Sequence, residues 1–303
     1  MIHEYALEPE LVATWANRHE FRYFVEKFGL GQSRIASRYP KPWKRLVWDA
    51  FHSEDDFERL RMVELLQRIG ERMVQRRDFL WNAGRPWLEN AQAEHHRIAF
   101  HAILARENPG GQPNILVPAA LDASPLWATS RGVAIARNAG SMAAAVAAML
   151  RIARVIVFVD PHFSPAELRF RRPLEVFLRA VLQARPIEGP GRVEIHTSVE
   201  HTGTREFFEG ECHRRLQRCI PIGINLRIVR LQERLDGEHL HNRYILTDLG
   251  GVLFAVGLDE GDGGATDDVN LLDRAQYDER WRQYASDAPA FDYPDPPIEI
   301  RGA

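Results

Sequence analysis

The sequence predicts an α/β protein preceded by an all-α domain, and three observations carry that expectation. Apolar residues recur at three and four spacing from Pro9 to about Ala105, the period of helices that bury one face. A turn-rich break, Asn108-Pro-Gly-Gly-Gln-Pro113, follows, and such a cluster punctuates structure. Beyond it, apolar runs of strand length alternate with helical stretches, the grammar of a mixed sheet flanked by helices. The expected domains are residues 1–110, helical, and 111–303, α/β.

In the first part, Leu11, Trp15, Phe21, Phe24, Val25 and Phe28 form one stripe that Gly29 and Gly31 end, because glycine stops a helix cheaply. Further helices are expected over Pro42–Phe51, Ser53–Leu80 with Ser53 as N-cap, and Arg85–Leu104. After the break come strand Ile115–Val117, helix Ser141–Ala153, strand Val155–Val159, helix Arg172–Ala184, strand Arg192–Thr197 and helix Arg205–Cys219. Strands Asn225–Leu231, His241–Thr247 and Val252–Val256 follow, with Gly250-Gly251 as the two-residue turn of a hairpin. Asp259 to Asp268 is acidic and glycine-rich and reads as a loop, Val269–Tyr284 as a last helix, and the proline-rich tail from Ala288 as irregular.

Composition narrows the class. With 45% hydrophobic and 27% charged residues in 303, the chain has the makings of a globular core rather than of a disordered or fibrous one. The most apolar stretch, Met142 to Val159, is interrupted by Arg151 and Arg154, so no transmembrane segment is expected. The first residues lack the basic flank and apolar core of a secretory signal, which predicts a cytoplasmic protein. Cys212 and Cys219 fall in one expected helix about 10 Å apart along its axis, beyond disulfide reach. A net charge of -3 gives no global attraction to nucleic acid, so any such binding needs a local patch. Lysine stands only at 27, 41 and 44; every other basic side chain is arginine.

The chemistry concentrates in Glu238-His-Leu-His-Asn-Arg-Tyr-Ile-Leu-Thr-Asp248. On a strand, His239, His241 and Arg243 share a face, which gathers two imidazoles and a guanidinium. His241-x-Arg243-x4-Asp248 resembles the His-x-Lys-x4-Asp motif of the phospholipase D superfamily, with arginine for lysine. Upstream, Ile152-Ala-Arg-Val-Ile-Val-Phe-Val-Asp-Pro-His-Phe163 resembles that superfamily's early strand, and the order of elements from about 115 to 285 is similar to one half of its fold. Gly257 is followed by Leu-Asp-Glu260, where the family has Gly-Ser or Gly-Gly before an asparagine. In these respects the chain is also similar to the degenerate phospholipase D-like C-terminal domains of MIT-domain proteins.

The resemblance implies metal-independent phosphodiester cleavage with no cofactor. His241 would attack phosphorus to give a phosphohistidine, Arg243 would hold the phosphoryl oxygens, and Asp248 would orient or balance the site. Because the sequence holds one motif, it implies a homodimer in which the partner's copy of the same histidine is acid and base. Asp160, His162, His239 and Glu260 are candidate substrate contacts, since ligands of open α/β sheets gather at strand carboxyl ends. Two alternatives accompany this reading. His239, His241 and Glu238 could begin a metal site with His162, or the module could hold phosphate without catalysis while the helical domain recruits a protein partner.

Nucleic acid is the expected substrate class. The segment from 32 to 45 carries Arg34, Arg38, Lys41, Lys44 and Arg45 with Tyr39 and Trp43 interleaved, charge and stacking surface of the kind that single strands use. Against that stands a solvated loop leading into an amphipathic helix whose Trp43 and Trp48 pack inward. Arg169, Arg171 and Arg172 form a second basic group that could frame the same entrance. By analogy alone, a nuclease domain joined to a helical adaptor belongs in microbial defence.

Overall fold

The computed structural model describes residues 2–29, 32–70, 73–74, 76, 79–183 and 190–302. The chain forms two compact units, residues 2–131 and 132–303. The boundary thus lies some twenty residues beyond the expected one. After the turn at 108–113 the chain goes back to add a strand to the first unit, and Leu121 and Trp127 join that unit's core.

The first unit is not all-α. Strands β1 (His3–Leu7), β2 (Arg34–Ser37), β3 (Ala102–Leu104) and β4 (Ile115–Leu116) form a parallel sheet in the order β2-β1-β3-β4. Helices α1 (Pro9–Ala13), α2 (Arg18–Lys27), α3 (Trp43–Ala50), α4 (Asp56–Gly70) and α5 (Trp87–Arg97) make up the rest. The strands escape a periodicity reading because they are two to five residues long, too short to set a period of two against the long helical stripes around them. Asn17 caps α2 by accepting from the His19 and Glu20 N–H groups, which splits the single expected first helix. Asp55, not Ser53, accepts from Glu58 N at 2.9 Å at the start of α4. The expected helix end at Gly31, and the parts of Ser53–Leu80 and Arg172–Ala184 at 71–72, 75, 77–78 and 184, lie outside the described residues.

One buried ionic cluster organises this unit. Arg76 clamps Glu4 with Nε and Nη2 at 2.8 and 2.9 Å and reaches Glu94 with Nη1 at 2.8 Å. It also donates to the Ile98 carbonyl at 2.7 Å, and its guanidinium lies 3.7 Å from the Phe100 ring centroid. The cluster links β1, α5 and the approach to β3.

The second unit is built on an eight-stranded mixed sheet. Its strands are β5 (Gly132–Ala136), β6 (Val155–Val159), β7 (Arg192–Ser198), β8 (Asn225–Leu231), β9 (Arg243–Thr247), β10 (Gly250–Phe254), β11 (Thr266–Leu271) and β12 (Ile298–Arg301), in the order β12-β8-β7-β6-β9-β10-β11-β5. β6, β7 and β8 run parallel; every other pairing is antiparallel. The helices are α6 (Ala139–Ile152), α7 (Leu168–Leu182), α8 (Val199–Thr202), α9 (Arg205–Leu216) and α10 (Arg274–Ala285). Phe177 of α7 stacks on Phe158 of β6, with ring centroids 5.5 Å apart. On the other face Tyr277 and Tyr284 of α10 pack with Val157, Val159, Tyr244 and Leu246. Helices therefore cover both faces, which is why β6 reads as a continuous apolar run.

Three strands appear where none was expected. β5 and β12 are edges, and β11 alternates exposed and buried residues through an acidic run, so their hydrophobic signal is diluted. The hairpin turn is Asp248-Leu249, while Gly250 and Gly251 lie inside β10. The Thr247 hydroxyl closes the turn, accepting from Leu249 N and Gly250 N at 3.2 Å each and donating to the Gly250 carbonyl at 2.9 Å. Gly251 is a packing requirement, since a Cβ there would stand 2.7 Å from Leu246 and 2.8 Å from Leu272. Cys212 and Cys219 are free, Cys212 buried in α9. Among the described residues no helix is long and apolar enough to cross a membrane.

Removing the Arg76 guanidinium takes the shared cation from buried Glu4 and Glu94, although Glu94 keeps Arg97 and the Leu80 N–H, and breaking a buried ionic contact of this kind costs about 3–5 kcal/mol. Arg76→Met is expected to lower the unfolding free energy of the first unit, read from urea titration, by that amount, while Arg97→Met, whose side chain is 28% exposed, lowers it far less. Equal losses would refute the central role of Arg76.

Candidate functional site

Strand polarity gathers the chemistry-bearing residues at one end of the second sheet. β6 finishes at Val159 opposite Tyr244, so the chain enters antiparallel β9 where it leaves β6. β10 then returns, placing Phe254 opposite Arg243, and the pairing of β5 with β11 brings Ala136 to the same end. Asp160, His162, Arg243, Val256, Gly257 and Arg137 all stand on this rim, around an open cavity of about 350 Å³ that Arg169, Phe170 and residues 259–262 complete.

Asp160 is the buried anchor. Its Oδ1 accepts from His162 N and its Oδ2 from Leu258 N, both at 2.9 Å. Burial pushes its carboxyl up from the ordinary aspartate value, against the pull of those two N–H groups and of the Arg243 charge. His162 follows in the turn so formed, and its ring centroid lies 4.1 Å from that of His201 in α8, tilted by 35°. Lost hydration at the cavity wall, then the charges of His201, Arg243 and His241, drive the His162 pKa below the ordinary histidine value.

Arg243 enters the cavity with unspent donors. Its Nε is buried without an acceptor, and no hydrogen bond or ion pair from its guanidinium is found among the described residues. The other arginines here are spent. Arg137 binds Asp259 Oδ1 at 2.6 Å, Arg169 binds Asp259 Oδ2 at 3.3 Å and Glu167 at 2.8 Å, and Arg172 reaches Glu260 at 3.5 Å.

Other expected site residues are placed differently. His239 and His241 precede the strand rather than belonging to it, because His241 N donates to the His239 carbonyl at 3.1 Å and bends the chain there. His239 turns to Glu233, Nδ1 to Oε2 2.8 Å, and the other Glu233 oxygen accepts from Leu240 N at 2.7 Å. Glu238 pairs with Arg280 at 2.8 Å. Among the described residues no group of three His, Cys, Asp or Glu side chains is arranged to hold a metal ion. Glu260 lines the cavity, but its Oε1 accepts from Ala139 N at 3.0 Å at the start of α6.

Asp248 lies at the opposite end of the sheet, about 17 Å along the strand from Arg243. Its Oδ1 accepts from Arg154 N at 2.8 Å and Val155 N at 3.1 Å, closing the start of β6. The motif spacing that singles it out equals the length of β9, which carries it away from the histidines.

The basic segment of the first unit dissolves as a binding face. Arg34 is buried, donating to the carbonyls of Lys27, Gln32 and Trp127 with its guanidinium 4.2 Å from the Trp127 ring centroid. Trp43 is fully buried, and its indole N–H donates to the Leu7 carbonyl at 2.6 Å. Arg38 donates to the Lys41 carbonyl at 2.9 Å, the Lys44 ammonium end lies against Gly70, and Arg45 stands 3.9 Å from Asp49. Two of the six residues are core; of the expected inward-packing tryptophans Trp43 is buried, whereas Trp48 is exposed on α3 with Lys44 and Arg45.

Sequence reasoning did not assign His201, Arg137 or Asp259 to the site. His201 had a usable signal, since it follows the carboxyl end of β7 as His162 follows β6. Arg137 ends an unforeseen edge strand, and Asp259 looked like loop acidity.

No family model matches this chain, and no curated protein matches it. Among solved structures, that of TrmBL2, an archaeal chromatin protein described as showing a novel mode of DNA binding, is similar at 12% identity over 91% of this chain and 97% of that one, with a TM-score of 0.27. A likeness at that score assigns neither fold nor function.

The placement of Asp248 predicts a structural phenotype. Asp248→Ala is expected to lower stability by about 1 kcal/mol through the one acceptor lost to two N–H groups, while Arg243→Ala, which removes a charge facing buried Asp160, weakens binding of inorganic phosphate. Loss of phosphate binding in Asp248→Ala at unchanged stability would restore Asp248 to the site.

Proposed function

We propose that the rim of the second unit is a metal-independent phosphodiesterase site acting on nucleic acid, with His241 as nucleophile and Arg243 holding the phosphoryl oxygens. The observation that carries this reading is Arg243, whose buried Nε has no acceptor in a cavity that also holds histidine. A buried donor without a partner costs free energy, and an anion at hydrogen-bond distance recovers it. A phosphodiester supplies such oxygens, and the imidazole of His241, two residues ahead and solvent-exposed, supplies the nucleophile. The helix and strand order of the unit, with its hairpin entered through His-x-Arg, is what a phospholipase D-like half-fold would have. Arg169 and Arg172, half-exposed beside the cavity, would meet the flanking phosphates of a polymer by exchanging their carboxylate partners.

One observation favours a non-catalytic phosphate-binding module. Asp259 and Glu260 stand where the family places small and amide residues, and they already occupy Arg137, Arg169 and Arg172. One experiment separates the readings. Purified protein with single- and double-stranded DNA and RNA is expected to cleave equally with and without EDTA. His241→Ala should abolish cleavage and Arg243→Ala should lower it about 10²–10³-fold, the usual loss of a transition-state donor. Cleavage that EDTA abolishes moves the chemistry to a metal. A folded protein that binds nucleic acid without cutting it is the phosphate-binding module.

A further inference from the structure

A phosphohistidine mechanism needs two histidines around one phosphorus, one to attack and one to carry the proton. The motif occurs once in this sequence, which is the argument for a shared site in a dimer. The rim nevertheless holds three histidines from three different strand ends of one chain. His241 leads into β9, His162 follows β6 and His201 sits in α8 after β7. His162 lines the same cavity as Arg243. Its backbone is fixed by the Asp160 carboxylate, which accepts its N–H at 2.9 Å, and its ring is backed by that of His201 at 4.1 Å. His241 is near enough for its charge to act on His162. β6 and β9 are direct neighbours in the sheet, so the segments that carry the two histidines lie side by side at this end of it.

Resting on the phosphodiesterase reading, we propose that His162 is the general acid and base of this site, so that one chain carries out both steps without a residue from a second copy. In the first step a ring nitrogen of His241 forms the P–N bond as the P–O bond to the leaving group breaks. The proton of the His162 imidazolium passes to the leaving oxygen. In the second step neutral His162 takes a proton from water, whose oxygen bonds to phosphorus, and the P–N electron pair returns to His241. His201 is a positioning residue that limits rotation of the His162 ring.

The groups around His162 set the pH dependence. His201, Arg243 and His241 oppose its protonation, Asp259 favours it, and lost hydration at the cavity wall is the largest cause of a pKa below the ordinary value of 6.5. The acid form is therefore populated only on the acid side of 6.5. Cleavage of a substrate with a poor leaving group should rise as pH falls through that range, and His162→Ala should remove this dependence.

Leaving-group chemistry tests the assignment. A nitrophenolate departs without a proton donor, whereas the alkoxide of a dinucleotide needs one. With bis(p-nitrophenyl) phosphate, His162→Ala is expected to release one nitrophenolate per chain and stall with a phosphoryl adduct on His241. On a dinucleotide it should lose about 10²–10⁴-fold, the usual contribution of general acid–base catalysis. Equal losses on both substrates, with no adduct, would make His162 a structural residue and overturn the proposal. Wild-type chain co-expressed with an excess of His241→Ala separates the rival arrangement. Unchanged activity per wild-type chain supports a site within one chain, while activity per wild-type chain that itself falls with the wild-type fraction places the second histidine on a partner and overturns it. Wild-type protein that neither cuts nor forms an adduct with either ester refutes the phosphodiesterase reading itself, and this inference with it.

Discussion

The second unit depends on what Asp160 does with its two oxygens. One binds the N–H of His162, just past β6; the other binds Leu258, just past β10. Those strands are not neighbours, for β9 lies between them. The carboxylate therefore reaches across the mouth of β9 and pins both flanking loops over the point where Arg243 enters. Asp160 is 2% exposed, and a buried carboxylate is tolerable only when hydrogen bonds and opposite charge offset its desolvation. Two N–H groups and the nearby guanidinium supply both. Arg243 in turn keeps its own donors free, because it neutralises Asp160 through space rather than by a direct contact.

Comparison with other arginines shows why that freedom matters. The Arg76 side chain in the first unit is 6% exposed, and every nitrogen has a carboxylate or carbonyl. Unpartnered Nε atoms also occur at Arg34, Arg137, Arg192 and Arg227, but each spends its Nη groups on a protein oxygen. Arg171 leans on the Cys219 thiol. Burial of a positive charge is thus no functional signal in this arginine-rich chain. The signal is a guanidinium whose geometry is held while its donors are left unspent.

The parts of this architecture that sequence reveals are those with strong, long-period signals. β6, β7 and β8 are apolar runs bounded by helices, and their helices carry recognisable caps such as Asn138 and Thr204. Arg243, His162 and Asp160, which line the cavity, are legible because strand ends collect polar residues. The sheet of the first unit was not, since strands such as Ala102–Leu104 sit inside what reads as a helical stripe. β11 was hidden because Thr-Asp-Asp-Val-Asn-Leu alternates inward and outward only once its partners are known. Asp248 illustrates the reverse failure: the spacing is genuine, but strand geometry converts five residues into distance, so a motif neighbour becomes a cap at the far end. Arg34 and Trp43 mislead for a related reason, because charge and aromaticity in sequence do not say which side of a short buried strand or helix they occupy.

The location of the cavity follows from topology before any side chain is considered. From β6 the sheet grows one way through parallel β7 and β8, and the other way through antiparallel β9, β10, β11 and β5. The helix after β6 must therefore leave to one side while the hairpin is laid down on the other, and the loops above that line part. Crevices form where strand order reverses, outside the carboxyl ends of the parallel strands. Here the reversal falls between β6 and β9, the two strands that deliver His162 and Arg243. A site at this position draws its residues from both sides of the divide within one polypeptide. That is the physical reason the proposed one-chain reaction has a histidine on each side of the divide without borrowing one from a second copy.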